Sequence, residues 1–207
     1  LVTVLSNGKT AQGRNEAAGT LQTLASSGPE NQLAIAVGLV GLLGIGTDQA
    51  QEYVTALLLD LSSGLEEDVT NRLAIANAGP FKMLVKQLGS ENSKVNNLAV
   101  AVMSKLSGDS EENVSEIAKW NGVQPLVALL APGKDPLIRE TQAHAVVVLT
   151  DMTTRSLEHA ETVANEGGIE PLVGLLATAE TLETKSWAAD CLGNVAQLRS
   201  PEVGSAG

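Results

Sequence analysis

The sequence predicts an all-α chain built as a solenoid of about five repeats. Three observations carry this. Leu and Ala fill 56 of the 207 positions, and both are strong helix formers. A short apolar word recurs down the chain at nearly constant spacing. A longer segment after each word repeats one helical pattern of apolar residues.

The word is Leu1-Val-Thr-Val-Leu5, Leu84-Val-Lys-Gln-Leu88, Leu126-Val-Ala-Leu-Leu130 and Leu172-Val-Gly-Leu-Leu176. A further copy lies in Gly38-Leu-Val-Gly-Leu-Leu43, starting at Leu39 or Leu42. Counted from Leu42, the spacings are 41, 42, 42 and 46 residues. Glycine and proline punctuate the lead-in, as in Gly122-Val-Gln-Pro125 and Gly168-Ile-Glu-Pro171, with Gly79-Pro80 a degenerate version. Gly closes one helix and Pro opens the next. The long helix that follows each word has apolar residues at offsets 0, 1, 4, 5 and 8. They read Tyr53, Val54, Leu57, Leu58, Leu61; Leu98, Ala99, Val102, Met103, Leu106; His144, Ala145, Val148, Leu149, Met152; and Trp187, Ala188, Cys191, Leu192, Val195. Glu16, Ala17, Thr20, Leu21 and Leu24 form a weaker first copy. These offsets make one broad helical face. A short third helix is expected at 30–36, 70–76, 114–118 and 160–164.

Three helices per roughly 42 residues, with Gly-Ile-x-Pro-Leu-Val-x-Leu-Leu leading into Ala-x-x-x-Leu-x-Asn-x-Ala, resembles the armadillo repeat family. The last unit carries the fullest match, at Gly168–Leu176 and Ala188–Ala196. The resemblance spans nearly the whole chain. It implies a right-handed α-solenoid, an armadillo-type superhelix, with units at about 1–28, 29–64, 65–108, 109–155 and 156–199. Residues 200–207 then start a further repeat or form a tail. Neither end has the polar cap that a solenoid terminus needs, so a longer array, or cover from other chains, is expected.

Composition narrows the function. A net charge of −11 and a pI near 4.6 leave no basic footprint for nucleic acid. Four aromatic residues, Tyr53, Phe81, Trp120 and Trp187, are too few to stack single strands. The longest apolar run, Leu33–Gly46, is too short to span a bilayer. A lone cysteine, Cys191, forms no internal disulfide, which fits an intracellular and cytoplasmic setting and leaves organelles open. The sequon Asn113-Val114-Ser115 reads as chance in a chain with no visible secretion signal.

No catalytic, cofactor or metal site is expected. His144 occupies a packing position of the register, and His159 lies among acids on a short helix. Cys191 reads as a small core residue. The run Gly38-x-x-Gly41-x-x-Gly44-x-Gly46 lacks the strand and the Lys-Ser/Thr of a phosphate loop and reads as close helix packing. Glu66-Glu67-Asp68 and Glu111-Glu112 favour the positive ends of helices. Trp120 reads as a packing residue over a unit boundary.

The resemblance implies that offsets 3 and 7 of each long helix line a concave groove. The family's nuclear-import members carry Trp at the first position and Asn at the second, making lysine slots and backbone hydrogen bonds for an extended peptide. Here the first position reads Gly19, Ala56, Ala101, Val147 and Asp190, and the second Thr23, Asp60, Lys105, Asp151 and Asn194. With no indole walls, the import-type slot has no physical basis. What remains is a shallow groove of small side chains with Thr23, Glu52, Asp60, Lys105, Asp151, Asp190 and Asn194 as its candidate contacts. The expected function is a non-enzymatic protein–protein interaction scaffold, with other proteins, basic segments or a large assembly as partners. The alternatives are a concave-groove adaptor for an extended or helical, partly basic segment, and a regulatory domain of a larger enzyme.

Overall fold

The computed structural model describes residues 1–8, 10–25, 27–63 and 70–198. Its regular elements are thirteen α-helices among the described residues: α1 (Val2–Asn7), α2 (Ala11–Ala25), α3 (Pro29–Val40), α4 (Asp48–Ser62), α5 (Thr70–Asn77), α6 (Phe81–Leu88), α7 (Ser93–Ser107), α8 (Glu111–Lys119), α9 (Val123–Ala128), α10 (Pro136–Arg155), α11 (Leu157–Asn165), α12 (Ile169–Thr178) and α13 (Leu182–Gln197). They group as α1–α2, α3–α4, α5–α7, α8–α10 and α11–α13. The acidic run Glu66-Glu67-Asp68 and the segment 200–207 lie outside the described residues. None of the described helices is long and apolar enough to cross a membrane.

The long helices α2, α4, α7, α10 and α13 pack on one another in chain order and form one layer. The apolar register sets that packing. Its second position, Ala17, Val54, Ala99, Ala145 and Ala188, is buried in every unit. Its fifth-offset residues Leu58, Met103 and Leu149 are fully buried in the middle units, whereas Leu192 in the last is half-buried. Thr20 is exposed where Leu57, Val102, Val148 and Cys191 are buried. Leu21, the first unit's counterpart of Leu58, is buried as well, and the core runs unbroken from unit to unit.

Local chemistry places each helix. Thr47, Asn92, Asp135 and Thr181 accept hydrogen bonds from first-turn amides of α4, α7, α10 and α13, and Ser110 does so for α8. Glu111 and Glu112 fall within the first turn of α8, and hydrogen bonds from its own backbone amide and from Ser110 hold the Glu112 carboxyl below its usual range. Between the short helices of the last three units the chain turns through the left-handed region at Gly79, Asn121 and Gly167, with φ of +76°, +57° and +78°. Gly and Asn tolerate that region best.

The second unit departs from expectation. The segment 29–40 is one continuous helix rather than a short helix followed by a separate leucine word. No left-handed residue interrupts it. The break comes later, at Gly44 and Gly46, with φ of +79° and +90°. A Cβ on Gly44 would collide with the Met83 side chain. Two glycines of the run thus turn the chain from α3 into α4.

A second regularity lies two residues ahead of the register. Gln51 Nε2 donates to the carbonyls of Leu42 (3.3 Å) and Ile45. Asn96 Nδ2 donates to Leu88 O at 3.0 Å, and Gln142 Nε2 to Leu130 O and Ala131 O at 3.1 and 2.7 Å. Arg14 does the same to Gly8 O at 2.6 Å. In these four units a polar side chain satisfies carbonyls left open where the preceding helix ends. The sequon asparagine is similarly committed: Asn113 is buried and donates to Leu106 O at 2.7 Å.

Two expected outcomes follow from this packing. Leu149→Ala removes a fully buried side chain at mid-array and costs on the order of 2–5 kcal/mol in a denaturant melt. A loss under about 1 kcal/mol would contradict the register. Gln142→Ala removes the hydrogen bonds to the carbonyls of buried Leu130 and exposed Ala131 and costs on the order of 1–3 kcal/mol by the same measurement.

Candidate protein-interaction groove

The outward face of the long-helix layer is built from register offsets −4, −1, 3 and 7. On α10 these are Glu140, Ala143, Val147 and Asp151, and on α13 they are Glu183, Ser186, Asp190 and Asn194. Between the two helices the layer opens into a recess of about 1020 Å³, lined among others by Lys105, Arg139, Glu140, His144, Val147 and Trp187. One feature of α10 creates it. Pro136 stands eight residues before His144, against five from Asp48 to Tyr53, Ser93 to Leu98 and Leu182 to Trp187. The extra turn projects beyond the neighbouring helix starts. Arg139, on that turn, pairs with Glu180 in the loop before α13 and donates to Lys134 O at 2.6 Å. The 46-residue spacing between the last two words is the sequence trace of this insertion.

The recess holds mixed chemistry. Trp187 is half-buried, and its indole N–H has no protein partner among the described residues. His144 Nδ1 lies 3.1 Å from Ser104 Oγ and Nε2 lies 3.9 Å from Glu140. Burial holds the imidazole below its usual pKa against the pull of Glu140, with Lys105 adding to the lowering, so the ring is neutral at pH 7. Glu183 and Asp190 are exposed and make no ion pair among the described residues.

No protein-family model matches the sequence. No curated protein matches it either. Among proteins of known structure, an engineered protein shares 28% identity with a TM-score of 0.73, over 94% of this chain and 78% of that one. Computationally designed armadillo repeat proteins for modular peptide recognition superpose with a TM-score of 0.75 at 24% identity, over 94% of this chain and 80% of that one. A designed armadillo repeat protein in complex with the peptide (KR)4 gives 0.73 at 23%, over the same shares. The chain has an armadillo-like repeat fold.

Within the armadillo-like layer, the candidate groove residues divide into two sets. Five bond within the protein. Thr23 donates to Gly19 O of its own helix. Asp60 accepts from Gln22 at 3.3 Å, and Glu52 pairs with Lys94 at 3.4 Å. Asp151 accepts from Ser107 at 2.5 Å. Asn194 donates to Thr153 and Thr154 at 3.1 and 3.0 Å. Four of these five reach the adjacent long helix, one period away. Lys105 and Asp190 are exposed and make no ion pair or side-chain hydrogen bond among the described residues. Ala101, at a groove position by register, is buried. Glu140, Glu183 and Trp187 line the recess from offsets that a reading confined to positions 3 and 7 passes over. The signal for them was the longer last spacing.

The remaining chemical candidates of the armadillo-like chain sit in packing roles. Burial pushes the Cys191 thiol up to about 11, against a 3.7 Å hydrogen bond from Thr153. His159 Nδ1 lies 3.3 Å from Met152 O. Among the described residues no group of three or more His, Cys, Asp or Glu could hold a metal ion.

Asp151 offers a test of the polar links. Burial raises its pKa, opposed by the Ser107 hydrogen bond and by Arg155, with Asp109 adding to the rise. A carboxyl with a raised folded-state pKa favours folding in its protonated form. Its ionisation cost is absent below the unfolded pKa of about 3.9 and complete above the folded one. Asp151→Asn keeps an acceptor for Ser107 and removes that cost. Thermal melts should show the variant more stable than wild type at pH 7, with the difference closing as pH falls toward about 3.

Proposed function

We propose that the chain is a non-enzymatic protein-interaction scaffold that receives a partner segment on the face of its long-helix layer, with the recess between α10 and α13 as the anchor point. The observation that carries this reading is the recess itself. It is roomy, walled by a half-buried indole, and formed by an extra helical turn that unit-to-unit packing does not require. Lys105, Lys134 and Arg139 line it together with the carboxylates of Glu140, Glu180 and Glu183, and Asp190 is exposed at a further outward position of α13. The carboxylates of Glu183 and Asp190, without an ion pair among the described residues, favour an extended or helical segment with basic side chains, and they act mainly on steering and selectivity. The likeness to a designed protein holding (KR)4 supports the same class of partner. Of the earlier candidates, Asp190 and Lys105 are available to a ligand as they stand. Thr23, Glu52, Asp60, Asp151 and Asn194 would exchange an internal bond for an external one.

The test is a titration of fluorescein-labelled (KR)4 followed by anisotropy. Binding should weaken with added salt, and Glu183→Lys/Asp190→Lys should weaken it about tenfold or more. Both positions are exposed, so the variant should melt with wild type. Equal affinity for both proteins would sink the reading.

A further inference from the structure

The chain carries a second distinct surface, where α6 of the third unit meets α8 of the fourth. Trp120 ends α8 and is 37% exposed rather than packed away over the boundary. Lys82 Nζ of α6 stands 4.8 Å from the centre of its ring, and Lys119 Nζ stands 5.6 Å away. Glu116 accepts from the indole N–H at 3.2 Å and from Lys119 at 2.6 Å. The indole is therefore held in one orientation and remains partly exposed. Lys86 lies one turn beyond Lys82 on α6 and is exposed.

The repeat tells which of these residues the fold requires. The left-handed residues Gly79, Asn121 and Gly167 align the last three units. Trp120 then corresponds to Ala78 and Glu166, and Lys119 to Asn77 and Asn165. Lys82 corresponds to Gln124 and Glu170, and Lys86 to Ala128 and Gly174. The same backbone is built elsewhere with small, neutral or acidic side chains at all four places. No packing rule of the array calls for an indole and three lysines here. In a chain with 24 acidic and 13 basic residues, such a cluster also stands against the general charge.

We propose that Trp120, Lys82, Lys86 and Lys119 form a docking surface for an acidic segment of a partner protein that carries an apolar side chain. Charge complementarity selects the occupant. Carboxylates meet the three ammonium groups while the apolar side chain covers the indole, and the net charge of −11 disfavours the segment elsewhere on the molecule. The cation–π contacts and the Glu116 hydrogen bond order the indole before binding, so little entropy is lost in using it. Nucleic acid, the other polyanion with this chemistry, is disfavoured by the net charge of −11. This inference is independent of the reading of the α10–α13 recess.

The experiment is anisotropy of a labelled synthetic peptide of glutamates with one central leucine, titrated with the whole chain. Saturable, salt-sensitive binding is expected. Trp120→Ala and Lys82→Glu/Lys119→Glu should each weaken it about tenfold or more. Glu183→Lys/Asp190→Lys should leave it unchanged, which separates this surface from the recess. Thermal melts of each variant confirm that the array is intact. Unchanged affinity in folded Lys82→Glu/Lys119→Glu overturns the proposal. So does binding to phosphatidylserine vesicles without binding to the peptide, which would assign the surface to a membrane.

Discussion

The structure depends on the stacking of one long helix on the next. Each such helix is narrow, and its apolar stripe is covered by the helices packed against it. Ala17, Val54, Ala99, Ala145 and Ala188 show the constraint in its plainest form. Alanine at that offset lets successive helices approach closely, and nothing larger occurs there except Val54. The larger residues four positions on fill the space that remains. A single unit has no closed core, so the stability of any unit is a property of its neighbours. The capping side chains and the carbonyl-binding residues Arg14, Gln51, Asn96 and Gln142 serve the same end. They fix where each long helix begins and how the helix before it ends.

The polar side chains of the layer follow from that stacking. Helices that lie side by side at a constant register bring residues one period apart into contact. Gln22 meets Asp60, Glu52 meets Lys94, Ser104 meets His144, Ser107 meets Asp151, and Thr153 meets Asn194. Exposed pairs of this kind contribute little to stability. Their effect is to fix how neighbouring helices are aligned and to leave fewer groups free for a ligand.

Functional features arise where the chain breaks its own period. The extra turn of α10 opens a recess that the other long-helix pairs lack the same reason to form. Trp120 and its lysines occupy places that other units fill with Ala, Asn or Glu. A repeat protein supplies its own standard of comparison: what recurs is explained by packing, and what does not recur needs another cause. Here the departures fall on two separate surfaces, the α10–α13 recess and the α6–α8 face.

Much of this was legible in the residues alone. The helical class, the period, the buried register and the packing roles of Cys191 and His144 all rest on local propensity and on spacing along one chain. Helix formation is decided over a few turns, and a repeat samples the same decision several times. The tertiary structure decided the rest. It ran α3 through as one helix, because no residue there takes the left-handed turn that Gly79, Asn121 and Gly167 take. It buried Ala101 and tied Asn194 to Thr153 and Thr154. It left Trp120 exposed and Asp190 without an ion pair. Those outcomes turn on which side chain of a neighbouring helix comes within about 3 Å, the reach of a hydrogen bond. A one-dimensional pattern carries the period of such contacts, but the partner is chosen by distance and rotamer in three dimensions.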